Sequence, residues 1–245
     1  MFCQKCGIAV GEVAAACPSC SAPIHDLAVS PRPAALAGTL KTASKEAIAS
    51  LRSFAGDPVG GLGPACESLG EASARRVGVA FGVAATAGFL LGGYLALPEF
   101  LRRDLFDFLG FGGVLKALGF AVMPFACAVL GGHGMRRILG GRGSTGGDLF
   151  IGGAAALPAA AAMILNGVLG LENSTLVLVV SVLAGCTSIL MLFSGFTRIS
   201  KLTDRAATVS VPAVVLLGMW LAKLLATSIL QGPGPSGPPQ GFPWQ

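Results

Sequence analysis

The chain has 245 residues, of which 53% are hydrophobic and only 12% charged, and its mean hydropathy is +0.74. Soluble domains carry roughly 25% charged residues, so this composition excludes an ordinary water-solvated globule and points to a membrane protein. The net charge of +5 and pI near 9.0 are not by themselves a nucleic-acid signal, because membrane proteins gather Lys and Arg on their cytoplasmic side.

The opening stretch, MFCQKCGIAVGEVAAACPSC, holds two C-x-x-C pairs, Cys3 with Cys6 and Cys17 with Cys20. It lacks the apolar run of a signal peptide, so none is expected. Next, TLKTASKEAIASLRSF spaces Leu40, Ala43, Ala47, Leu51 and Phe54 three or four residues apart. That periodicity predicts an amphipathic helix, lying on the membrane surface or docked on a helical bundle. GDPVGGLGPACESLGEASARR follows as a Gly/Pro break and a short juxtamembrane helix.

Five apolar segments then match the roughly 20 residues that cross a hydrocarbon core. They fall near 77–97, 114–131, 149–170, 175–197 and 207–230. The second is the weakest, being short, starting beside Lys116 and containing Pro124. PEFLRRDLFDFLGFGG, between the first two, mixes aromatic and charged residues and reads as an interfacial segment. The last stretch, QGPGPSGPPQGFPWQ (231–245), is Pro/Gly-rich and expected to be disordered or extended.

Charge distribution supports five crossings. Lys5, Arg32, Lys41, Lys45, Arg52, Arg75 and Arg76 precede the first span. Arg136, Arg137 and Arg142 follow the second, and Arg198, Lys201 and Arg205 follow the fourth. With five spans these regions share one side, and the other receives only Arg102, Arg103 and Lys116. The positive-inside rule then places the N-terminus in the cytoplasm and the C-terminus outside.

A cytoplasmic N-terminus is reducing, so disulfides are disfavoured there. Two C-x-x-C pairs accordingly read as a structural four-cysteine zinc ribbon with Cys3, Cys6, Cys17 and Cys20 as thiolate ligands. A fragment this short buries no core, and the metal would hold it folded. Four protein ligands leave no open position for catalysis. Around the ribbon only Lys5 is cationic and only Phe2 aromatic, so nucleic acid is not an expected partner.

Other polar motifs read mostly as structure. GRGSTG (141–146) matches G-x-G-x-x-G without the strand that a dinucleotide fold needs before it. It reads as a connector with Asp148 capping the third span, or as a loop that holds a lipid phosphate. Lys223 beside Trp220 reads as a snorkelling interfacial anchor, with an intramembrane functional charge as the alternative. Asn166 is expected to bond a neighbouring helix. Cys127 and Cys186 read as small buried residues, and Cys66 as packing with lipidation as the alternative. His133 has no evident partner and reads as a loop residue. Small residues at Gly78, Gly82, Ala84, Gly88 and Gly92, and at Ala155 and Ala159, predict close helix contacts, within one chain or in a homo-oligomer. No catalytic constellation is visible.

With MFCQKCG…CPSC, DPVGGL, GRGSTGGDLFIGGAAALP and GFTRISKLTDRAATVSVP in this order, the chain resembles bacterial membrane proteins that join an N-terminal zinc ribbon to a Yip1-like domain. The resemblance implies a multi-pass protein of the bacterial inner membrane, and eukaryotic members are associated with trafficking and small GTPases. No DLYGP-type motif is present, so a GTPase partner does not carry over. The expectation is an all-α polytopic membrane protein with about five transmembrane helices. Its domains are a zinc ribbon at 1–26, a linker at 27–76, the transmembrane domain at 77–230 and a tail at 231–245. It would be non-enzymatic, docking or sensing a protein partner through the ribbon. A small-solute transporter or channel is the alternative, and a membrane-bound zinc-dependent transcription regulator a weaker one.

Overall fold

The structure, a computed structural model, describes residues 20, 44–54, 56–98, 105–170 and 174–230. The ribbon cysteines other than Cys20, as well as Leu40, Ala43, most of the charged part of the interfacial segment and the C-terminal tail, lie outside the described residues. The chain divides between residues 42 and 43, and the second unit holds the helices discussed below.

Among the described residues six helices follow in order: α1 (44–54), α2 (Leu62–Ala96), α3 (Leu105–Ile138), α4 (Thr145–Leu169), α5 (Ser174–Arg198) and α6 (Asp204–Leu230). Five of them, α2 to α6, are long and apolar enough to cross a membrane. No strand occurs among the described residues. The fold is that of a multi-pass helical membrane protein. Two of the long helices are broken by glycine. Gly70 (φ 68°) separates a short helix from the spanning part of α2, and Gly110 (φ 57°) does the same near the start of α3. Positive φ is open to glycine without a steric penalty, so each break sits where the chain turns into its span.

α4 is the centre of the bundle, with a larger share of its apolar stretch buried than any other span. Its closest partner is α2. A side-chain carbon at Gly78 would land on the backbone of Leu149 and Phe150, one at Gly88 3.1 Å from Ala160, and one at Gly92 2.5 Å from Met163. Conversely, a carbon at Gly167 would meet the carbonyl of Gly92 at 2.7 Å. Of the predicted small-residue stripe, Gly78, Gly88 and Gly92 bring the two backbones together, Gly82 faces Phe125 of α3, and Ala84 is exposed. Residue numbers rise together along both helices, so α2 and α4 run parallel. Parallel partners need an odd number of crossings between them, and α3 supplies it. The weak second segment is a full-length helix despite Lys116 and Pro124. Lys116 Nζ, near the start of its apolar stretch, donates to the Ser228 carbonyl near the end of α6 (2.6 Å).

The amphipathic helix α1 docks on the bundle. Phe54 stands edge-on to Phe81 of α2 (5.8 Å, 86°) and to Phe150 of α4 (6.4 Å, 88°), and all three rings are buried. The buried face differs from the sequence expectation. Ala47, Ser50 and Phe54 point inward, whereas Leu51 is 43% exposed beside exposed Ile48. Ser50 can occupy the interior because its hydroxyl donates to the Glu46 carbonyl one turn back (2.8 Å). Glu46 in turn faces Arg76 of α2 at 3.4 Å.

Candidate functional site

The cationic ends meet at one pole of the bundle. Arg136 and Arg137 lie in the last turn of α3 and Arg198 in that of α5, where positive charge complements the helix dipole. Arg198 Nη1 donates to the Gly60 carbonyl (2.9 Å), and Lys201 approaches Glu67 at 3.7 Å. Ser194 donates to the Val59 carbonyl (2.6 Å), fastening the turn after α1 to α5.

At the centre of this pole is Asp148, in the first turn of α4, its side chain only 1% exposed. Arg136 reaches it from α3 in a forked arrangement. Nε lies 3.2 Å from Oδ1 and 3.0 Å from Oδ2, and Nη2 lies 2.7 Å from Oδ2. Ser200, buried in the loop between α5 and α6, donates to Oδ1 at 3.2 Å. His133, one turn before Arg136, places Nδ1 3.1 Å from Asp148 Oδ2 and 3.0 Å from Arg136 Nη2. One ring nitrogen cannot serve both at once. Without a proton it accepts from the guanidinium, and with one it donates to the carboxylate.

The Gly-rich loop completes the cluster. Arg136 Nη1 donates to the Gly143 carbonyl (2.6 Å), and the Gly143 amide donates to the Ser200 carbonyl (3.2 Å). A side chain at Gly143 would fall 2.6 Å from Ser200 Cα, and one at Gly141 2.7 Å from the Ser200 carbonyl oxygen. The glycines of GRGSTG are needed for this close approach between loops. Lys201, at φ 54°, turns the chain back towards α6.

Two sequence expectations are corrected here. The N-cap of α4 is Ser144, whose Oγ accepts from the Gly147 amide (3.1 Å), and Asp148 is an interior residue of the ion cluster. His133 is a helical residue with two polar partners rather than a loop residue. What could have pointed to the cluster is an acid at the head of an apolar helix, since such a group needs a cationic partner. Arg136, three residues from His133, lies within one loop of it.

The other polar positions are scattered. Asn166 donates to Ser181 of α5 (2.9 Å), the interhelical bond expected of it. Lys223 is exposed on the outer face of α6. Cys66 and Cys127 are buried as expected, but Cys186 is exposed on α5, on the outside of the bundle. Among the described residues no group of three or more His, Cys, Asp or Glu side chains could hold a metal. Of Cys3, Cys6, Cys17 and Cys20, the expected zinc ligands, only Cys20 is described, half-buried at a turn. Chemically, the pole is a neutralised buried ion pair joining α3 to α4, with the α5–α6 loop tied to it through Ser200. Its carboxylate is engaged by the guanidinium on both oxygens, which makes it a fastening rather than a base. Comparison of the chain with protein-family models, with curated proteins and with solved structures gave no match.

Proposed function

We propose that this protein is a non-enzymatic, multi-pass protein of the bacterial inner membrane whose zinc ribbon, held in the cytoplasm, docks or senses a protein partner. In this reading the bundle is a rigid anchor with a Yip1-like role in organising the membrane. Cys3, Cys6, Cys17 and Cys20 would hold one structural zinc ion, which supplies folding energy to the ribbon. The observation that carries the choice between anchor and transporter is the position of Lys223. A Lys223 facing an interior path would favour transport, whereas it is exposed on the outer face of α6, where a long side chain can reach the headgroups. The buried charges at the cationic pole are spent on holding α3, α4 and the α5–α6 loop together, which suits an anchor.

The test is affinity capture from mild detergent with the intact chain and with a Cys3→Ser, Cys17→Ser variant, alongside zinc analysis of both. The reading expects one zinc per chain and a partner set that are both lost in the variant. Recovery of the same proteins from both samples would end the docking proposal. A small-solute transporter is the second reading, and the central cavity described next is the observation on its side. Neither Lys223 nor Asn166 lines that cavity.

A further inference from the structure

Midway along the spans the bundle carries a half-open apolar cavity of about 360 Å³, to which all five spanning helices contribute wall. Phe120, Met123 and Cys127 of α3 face it on one side, Gly185 and Ser188 of α5 on another, and Gly218 of α6 on a third. Along α5 the buried residues are confined to Met191–Phe196 at the cationic pole. Over the rest of its length α5 is exposed or half-buried, so it offers an apolar surface leading from the opposite pole to the cavity.

A void of this size would not stay empty. Unfilled cavity volume destabilises a packed interior in proportion to its size, and this one is more than twice the roughly 150 Å³ of an engineered cavity that takes up benzene. Water is a poor filler, because an ordered water needs two to four polar partners. The Ser188 hydroxyl is the one strongly polar side-chain group on the wall, and its Oγ is buried without a hydrogen-bond partner. The medium at this depth, in a chain with five membrane-crossing helices, is hydrocarbon. Phe and Met side chains on the wall can adapt to a flexible chain.

We infer that the cavity between α3, α5 and α6 is a binding site for one acyl chain of a membrane phospholipid. The lipid's headgroup stays at the interface remote from the cationic pole, and the chain descends along α5 to end near Ser188. By the benzene scale the volume accommodates about a dozen carbons, which suits the inner part of one chain. This site is independent of the zinc ribbon, so it stands or falls apart from the docking proposal.

The test uses the full-length chain in lipid nanodiscs containing a phosphatidylethanolamine with a diazirine near the end of one acyl chain. A free fatty acid carrying the same group serves as the second probe. After irradiation, the phospholipid should label residues of the 120–128, 185–192 and 214–222 stretches, and unlabelled phospholipid should compete for the labelling. Gly185→Phe fills the cavity, because a carbon at Gly185 meets nothing within 4 Å. The ring takes the volume that the acyl chain would occupy, so the variant should lose its labelling of the cavity wall. Val83→Phe, on the exposed face of α2 and outside the cavity wall, should label like the parent chain. Should Gly185→Phe fail to give monodisperse protein, Ser188→Met takes its place as the filling variant. Labelling that spreads over the exposed faces of all helices without competition would show annular lipid only and overturn the site. So would undiminished labelling of the filled variant, or labelling by the fatty acid alone.

Discussion

Asp148 has lost nearly all contact with solvent, and a carboxylate so placed is tolerable only because the Arg136 guanidinium and the Ser200 hydroxyl replace its water. Removing one member of such a pair leaves the other charged and buried, which typically costs about 3–5 kcal/mol. Arg136→Met or Asp148→Leu alone should therefore lower stability by that order, read as a fall in the thermal unfolding midpoint in detergent. The double variant should recover much of the loss, since two apolar side chains leave no orphan charge. Arg136→Lys should also destabilise, because an ammonium cannot span both carboxylate oxygens and the Gly143 carbonyl together. A double variant as unstable as the sum of the singles would mean that the pair is not the fastening described. Sequence reading saw Asp148, Arg136 and His133 one by one but not their meeting. Ser200 belongs to a connection 52 residues further on, and its approach depends on how α4, α5 and α6 pack.

The helices themselves were legible because a membrane crossing announces itself by length and apolarity. Their faces were less so. In α1 the 3.6-residue period admits Leu51 as readily as Ser50, and packing against α2 and α4 decides between them. The glycine stripe of α2 predicted close contact without naming the partner, and the parallel α4 supplies it. This contact makes opposite predictions for adjacent residues. Gly92 packs against the Met163 backbone, which cannot move aside as a side chain would, whereas Gly93 meets nothing within 4 Å. Gly92→Ala should cost about 1–3 kcal/mol by overpacking. Gly93→Ala should be neutral or stabilising by up to about 1 kcal/mol, the helix-propensity gain of alanine over glycine. Equilibrium unfolding of both variants in mixed micelles checks the contrast, and equal effects would mean that α2 does not lie on α4 in this register.

For the whole molecule, the decisive relation is between helix direction and charge. α2, α4 and α6 run one way and α3 and α5 the other, so the ends carrying Arg136, Arg198 and Arg205 gather at one pole independently of any membrane rule. Contacts such as Arg198 with Gly60 and Gly143 with Ser200 hold that pole together. The positive-inside rule then says which compartment the pole faces, because cationic loops resist transfer across the bilayer. Two engineered thiols test this step. Arg142→Cys places one in the exposed loop of the cationic pole, and Ser236→Cys places one in the tail beyond α6. A membrane-impermeant maleimide applied to intact cells with a permeable outer membrane should modify the tail thiol at once and the loop thiol only after lysis. The parent chain, with its own exposed Cys186 on the side of α5, sets the background. The reverse pattern would turn the bundle over and carry the N-terminal cysteines into an oxidising compartment. There the same two C-x-x-C pairs would favour disulfides over a thiolate zinc site.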